Sequence, residues 1–159
     1  MRWKPHVRCG VGENLEMISK SYLSLFYARK DIFIPYNDRG MIPLGFALEL
    51  PSNWEGKLAP RSSTFKTWGL IQTNSVGIVD DSYIGDNDEW HMPVFCLQPK
   101  DTVEVDVLGT KVNIQGTIVK KGDKVGQLRI QESMPELELE EVDIFGNDDR
   151  GGFGTTGTN

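Results

Sequence analysis

From Asp31 to Gln131 the apolar residues fall in short runs, several alternating with polar ones, and proline, glycine or an Asn/Asp pair closes each run. Ile32, Phe33 and Ile34 run into Pro35 and a turn at Asn37-Asp38-Arg39-Gly40. Phe46, Leu48 and Leu50 then alternate with Ala47 and Glu49 between Pro43 and Pro51. A period of two puts successive side chains on opposite faces of a strand. A strand is therefore predicted over 44–50, with further short strands over 55–59, 68–72, 76–80, 92–97, 103–107, 111–119 and 125–131. None of these runs carries the 3.6-residue period of an amphipathic helix. Many short, closely spaced strands predict an all-β sandwich, barrel or jelly roll.

Three segments stand apart. Glu13 to Ala28, with apolar Leu15, Met17, Ile18, Tyr22, Leu23, Leu25 and Phe26, fits a helix or a strand equally well. Val103 to Ile114 alternates on both sides of Leu108-Gly109-Thr110, which reads as a hairpin with one apolar face. Glu136-Leu137-Glu138-Leu139-Glu140 alternates strictly, as an edge strand that packs on a neighbouring subunit would. Beyond Phe145 the chain turns polar and glycine-rich, which predicts a β domain over 1–147 and a mobile arm over 148–159.

At 159 residues the chain is one domain by length. A net charge of −6 argues against long nucleic-acid partners, because phosphate-backbone binding needs a basic face. A compact site for one anionic nucleotide needs only a few local donors and remains open. No apolar run approaches the ~20 residues of a membrane span, and Met1 to His6 lacks the apolar core of a secretion signal. Cys9 and Cys96 are isolated, which predicts a reducing, cytoplasmic setting. With His6 and His91 the only histidines, a transition-metal cage is not expected. Any metal would be hard, oxygen-bound and carried in by the ligand.

Four stretches carry chemistry. Asn74 to Gly85 reads as a buried strand, Val76 to Val79, entering a turn that offers the Asp80 carboxylate, the Tyr83 ring and bare backbone at Gly77 and Gly85. Such a turn suits a flat ring plus a sugar, with the carboxylate beside the reacting centre. Pro60-Arg61-Ser62-Ser63 sets a cation and two hydroxyls on one turn, the combination that phosphate binding wants. Lys121-Gly122-Asp123-Lys124-Val125-Gly126-Gln127 is a turn feeding a strand, with Gln127 able to donate to a phosphate oxygen. Arg150-Gly151-Gly152-Phe153-Gly154-Thr155-Thr156-Gly157 holds a single aromatic among glycines, fit to stack on a base as the arm orders. Each stretch alone is ordinary turn or terminus chemistry.

Together and in this order they resemble the trimeric dUTP nucleotidohydrolases (dUTPases), over about Ala28 to Gly157. The resemblance implies a distorted jelly-roll subunit of the β-clip type, a homotrimer, and active sites shared between subunits. It implies Mg²⁺-assisted hydrolysis of dUTP to dUMP and pyrophosphate, which would keep uracil out of DNA. By the resemblance Asn74 and the backbone at Val76, Gly77 and Ile78 read the uracil edge. Asp80 holds the 3′-hydroxyl and orients the attacking water, and Tyr83 packs on the deoxyribose. Arg61, Ser62 and Gln127, with Ser63 beside them, meet the phosphates, and Asp31 touches the Mg²⁺ through water. Phe153 covers the uracil beside Gly154, while Arg150, Thr155 and Thr156 take the γ-phosphate.

The chain departs from the family in three places: Arg29-Lys30 precede Asp31 where small residues are usual, the spacing from Arg150 to Phe153 is short, and 99–117 looks like an inserted hairpin. Two alternatives follow. One is a dCTP deaminase of similar fold, with Glu89 as its acid. The other is a nucleotide-gated binder that signals to a regulatory protein through 99–117.

Overall fold

The computed structural model describes residues 8–11 and 24–148. Its elements in chain order are β1 (Arg8–Val11), β2 (Ser24–Tyr27), β3 (Ile32–Pro35), β4 (Arg39–Pro43), β5 (Phe46–Glu49) and β6 (Trp54–Pro60). A short helix, α1 (Thr64–Trp68), precedes β7 (Leu70–Gln72), β8 (Gly77–Val79), β9 (His91–Cys96), β10 (Asp101–Val107), β11 (Thr110–Val119) and β12 (Lys124–Glu132). Every strand pair is antiparallel. The sheets have the orders β2-β12-β6-β8, β4-β9-β7, β10-β11-β3 and β1-β5.

The inward faces of these sheets share one core. Leu58, Val125 and Leu128 meet Ile42, Leu70, Met92, Val94 and Cys96, with Ile34 and Val119 from the third sheet. Burying side chains of this size is the main favourable term in folding. Phe26, Phe46 and Trp90 line up beside them, with ring centroids 4.3 and 5.6 Å apart. Gly56 is obligatory beneath this row, since a Cβ there would lie 2.2 Å from the Trp90 ring.

The period-two reading holds for most of the body, and its misses have physical causes. Arg39 and Gly40 belong to strand β4, not to the turn. Gly40 is glycine because a Cβ would come within 2.8 Å of Ile34, a packing need that looks like turn chemistry in sequence. Helix α1 was not expected; at five residues it is too short to show a period. It ends at Gly69, φ 65°, where a Cβ would meet the Gln98 carbonyl at 1.8 Å, so the strand predicted over 68–72 begins only at Leu70. Of the ambiguous segment, Ser24–Tyr27 is strand β2, paired with β12, and 12–23 lie outside the described residues. The strand expected at 136–140 does not form: no strand among the described residues pairs with it, and Leu137 and Leu139 are exposed. The predicted hairpin is β10–β11, turning at Leu108-Gly109. Its base is integral to the body, because Gly116 to Val119 pair with β3.

Candidate active site

Strand β6 organises the chemistry, with a different cluster on each end. At its C-terminal end β12 pairs so that Gly126 faces Pro60 and Gln127 faces Ala59. Gln127 Nε2 donates to the Pro60 carbonyl at 3.0 Å. Arg61, Ser62 and Ser63 form the bend into α1, fixed from beneath by Thr64, which is 2% exposed. The Thr64 hydroxyl accepts from Arg61 N (3.0 Å) and donates to the Val125 carbonyl (3.2 Å). Arg61 Nη1 donates to the Lys124 carbonyl at 3.1 Å, leaving other guanidinium donors for an anion. Asp31 joins this end, its Oδ1 accepting from Lys121 N at 2.7 Å. The stretches at 31, 61–63 and 121–127, distant in sequence, thus form one polar corner.

The other cluster follows β8, which pairs with β6 on its far side with Gly77 opposite Leu58 and Val79 opposite Gly56. Asp80 comes next, exposed, with Oδ1 accepting from the Ser82 hydroxyl and from Ser82 N (2.9 Å). These two bonds, the hydroxyl's first, stabilise the ionised form and lower the Asp80 pKa below the ordinary carboxylate value. The Tyr83 hydroxyl donates to the Glu89 carbonyl oxygen at 3.3 Å. Tyr83, Met41, Val79, Glu89, Trp90 and His91 line a shallow pocket of about 200 Å³. Gly77 is buried, yet a Cβ there would meet its neighbours only at ordinary contact distances of 3.5–3.6 Å. Packing therefore does not demand a glycine at this position. A bare backbone at this position leaves room for close approach by a ligand. Asn74 and Ile78 are exposed on either side of it.

Glu89 is a strut: its Oε1 accepts from Gly45 N and from Arg29 Nε, both at 2.9 Å. That engagement of one carboxylate oxygen counts against the deaminase alternative, which needs this carboxyl free beside the base. Among the described residues no group of three His, Cys, Asp or Glu can hold a metal ion. Asp31 is exposed, and Lys121 uses one of its two carboxylate oxygens, so a hard oxygen donor faces solvent. This donor set fits a Mg²⁺ that arrives with phosphates and meets the protein through water. Arg150, Phe153, Gly154, Thr155 and Thr156 lie outside the described residues. No helix among the described residues is long and apolar enough to cross a membrane.

Sequence reasoning passed over three residues that hold this geometry. Ser82 was legible, since Asp-x-Ser is a turn in which the carboxylate caps a backbone amide two residues on. Thr64 and Gln72 gave no local signal, because their partners are strands distant in the chain.

No protein-family model matches the chain. It is 44% identical over 131 residues to the SPbeta prophage-derived deoxyuridine 5′-triphosphate nucleotidohydrolase YosS of Bacillus subtilis (strain 168), covering 82% of this chain and 80% of that protein. Among solved structures, the dUTPase of Staphylococcus bacteriophage 80alpha with dUPNHPP superposes with a TM-score of 0.73 at 17% identity, covering 96% of this chain and 99% of the other. A mutant dUTPase from phage phi11 of S. aureus, solved to show the coordination of a structural Mg(II) ion, gives 0.65 at 19% identity and covers 89% and 98%. Those likenesses establish the fold, and the sequence relative establishes kinship: the chain belongs to the deoxyuridine 5′-triphosphate nucleotidohydrolase family.

Proposed function

We propose that the chain hydrolyses dUTP to dUMP and pyrophosphate in sites that two subunits complete together. The observation that carries the shared site is the order of groups along β6. Val79 faces Gly56 with Asp80 just beyond it, Gly77 faces Leu58, and Gln127 faces Ala59 with Arg61 just beyond. One chain therefore presents the sugar group, then the base group, then the phosphate group. A nucleotide has its sugar in the middle. Asp80 and Arg61 are also separated by the strand from 55 to 61, about 20 Å at ~3.3 Å per residue. Both problems vanish when the 74–83 face of one copy meets the 61–63 and 127 corner of another, as in a closed homotrimer.

In that reading Asp80 accepts a hydrogen bond from the 3′-hydroxyl and from the attacking water. Asp80 is ionised at neutral pH, as any carboxylate at or below its ordinary pKa is, and so is suited first to aiming the water. Its proton affinity rises as the phosphates bring negative charge and the partner excludes solvent. Tyr83, anchored through its hydroxyl, packs on the deoxyribose and leaves no room for a 2′-hydroxyl. Arg61, Ser62 and Gln127 hold the phosphates in line for attack. Asp31 is the residue that would hold, through water, a Mg²⁺ carried by the triphosphate, and such an ion would supply charge neutralisation at the phosphates. The arm over 148–159 closes the site, with Phe153 on the base and Arg150, Thr155 and Thr156 at the phosphate end.

The free, buried Cys96 thiol supports a cytoplasmic setting. The test is pyrophosphate release from dUTP, dTTP, dCTP and UTP with Mg²⁺ present. Turnover of dUTP far above the other three is expected, and equal turnover of UTP would contradict the Tyr83 role.

A further inference from the structure

Gln72, on β7, is 7% exposed, and its amide bridges two neighbours. Its Nε2 donates to the Leu58 carbonyl at 3.0 Å and to Asn74 Oδ1 at 2.9 Å. A backbone carbonyl can only accept, so the Gln72 group beside Leu58 must be the NH₂. The same NH₂ meets Asn74, so the Asn74 atom it meets must be the carbonyl oxygen. That fixes the other half of the Asn74 amide. Its NH₂ lies over Gly77, 3.5 Å from where a Cβ would be, and no acceptor among the described residues bonds to it. Gln72 Oε1, meanwhile, is buried with no partner. An orphaned buried carbonyl costs stability, so plain packing would favour leucine or methionine at this position. The donor is what the site retains.

We propose that Gln72 is a positioning residue that locks the Asn74 amide with its NH₂ toward the base, and so sets uracil over cytosine. This rests on the reading that Asn74 faces the base edge. Uracil offers a carbonyl acceptor where cytosine carries an amino donor. An outward NH₂ pairs with the first and leaves two donors opposed against the second, a mismatch that buried polar groups punish heavily.

The test compares the Kd of dUMP and of dCMP for the wild-type protein and for Gln72→Met, Gln72→Glu, Asn74→Asp and Asn74→Ala, with thermal unfolding alongside. Gln72→Met removes the donor and frees the amide to rotate, so the dCMP/dUMP Kd ratio falls about tenfold. Gln72→Glu, neutral when buried, places its hydroxyl where the NH₂ stood, so that this one oxygen donates its proton to the Leu58 carbonyl and accepts from the Asn74 NH₂. The Asn74 carbonyl then turns outward, and the ratio falls further. Asn74→Asp, at an exposed position that folding tolerates, still accepts from Gln72 and presents an oxygen to the base, with a fall at least as large. If Asn74→Ala changes the ratio while both Gln72 variants leave it within twofold of wild type, the positioning role is overturned and the base-facing reading stands. An unchanged ratio in Asn74→Ala overturns both. Should the Gln72 variants fail to fold, Asn74→Asp decides alone, because an unchanged ratio there means that an oxygen already faced outward.

Discussion

The two ends of β6 are built differently. At the phosphate end Arg61, Thr64 and Gln127 are tied to backbone carbonyls on neighbouring strands, across 61 to 67 residues of sequence. At the nucleoside end Asp80 is held by Ser82, two residues on, and Tyr83 by Glu89, six residues on, through exposed hydrogen bonds. The first end is part of the core's own hydrogen bonding and forms only when the sheet forms. The second is a loop that organises itself locally and that, in the proposed shared site, a partner surface covers. A corner that must hold a highly charged chain gains from rigidity. A pocket that must admit a nucleoside and then be covered gains from an open face.

Substitutions at the two ends should therefore fail in different ways. The largest effect is expected from Asp80→Asn, which should lower kcat by ~10²–10⁴ with little change in melting temperature or in dUMP affinity. Pyrophosphate release and calorimetry would check this, and near-normal turnover would remove Asp80 from its role. Thr64→Val should instead act on the fold. It leaves Arg61 N and the Val125 carbonyl unpaired at a buried position, a loss of about 1–3 kcal/mol visible in thermal or urea unfolding. The smallest effect is expected from Ser82→Ala. Ser82 lowers the Asp80 pKa, so its loss should move the pKa up toward 3.8 and carry the acid limb of the kcat/KM profile to higher pH. Activity at neutral pH should hardly change, since Asp80 is ionised in either case. The stability linked to that lowered pKa is present above the unfolded-state value and lost as pH falls through the folded-state value. Unmoved acid limbs would detach Asp80 from the pH profile.

How much of this was legible in sequence follows the same division. Strands with period-two faces, such as Phe46 to Glu49 and His91 to Cys96, were readable because burial of one face writes itself into every second residue. The polar motifs were readable as turns carrying donors and a carboxylate. Gly40 was misread because a glycine needed for close packing on Ile34 looks like one needed for a bend. Glu89 looked like a free acid because its partners, Arg29 and Gly45, come from a distant part of the chain. The tail over 136–140 shows the limit most clearly: its alternation asks for a partner strand, and none among the described residues pairs with it. Register carried the rest: only the pairing of β8 and β12 on opposite sides of β6 gives the order of groups on which the proposal of a shared site rests.

The shared site is tested most directly by mixing two inactive proteins. Asp80→Asn and Arg61→Ala chains, each nearly inactive alone, are co-refolded in equal amounts and assayed for pyrophosphate release. If neighbouring copies complete each site, random trimers pair an intact 74–83 face with an intact Arg61 corner in about a quarter of sites, and activity returns in that proportion. If each chain holds a whole site, every site in the mixture carries a lesion and no activity returns.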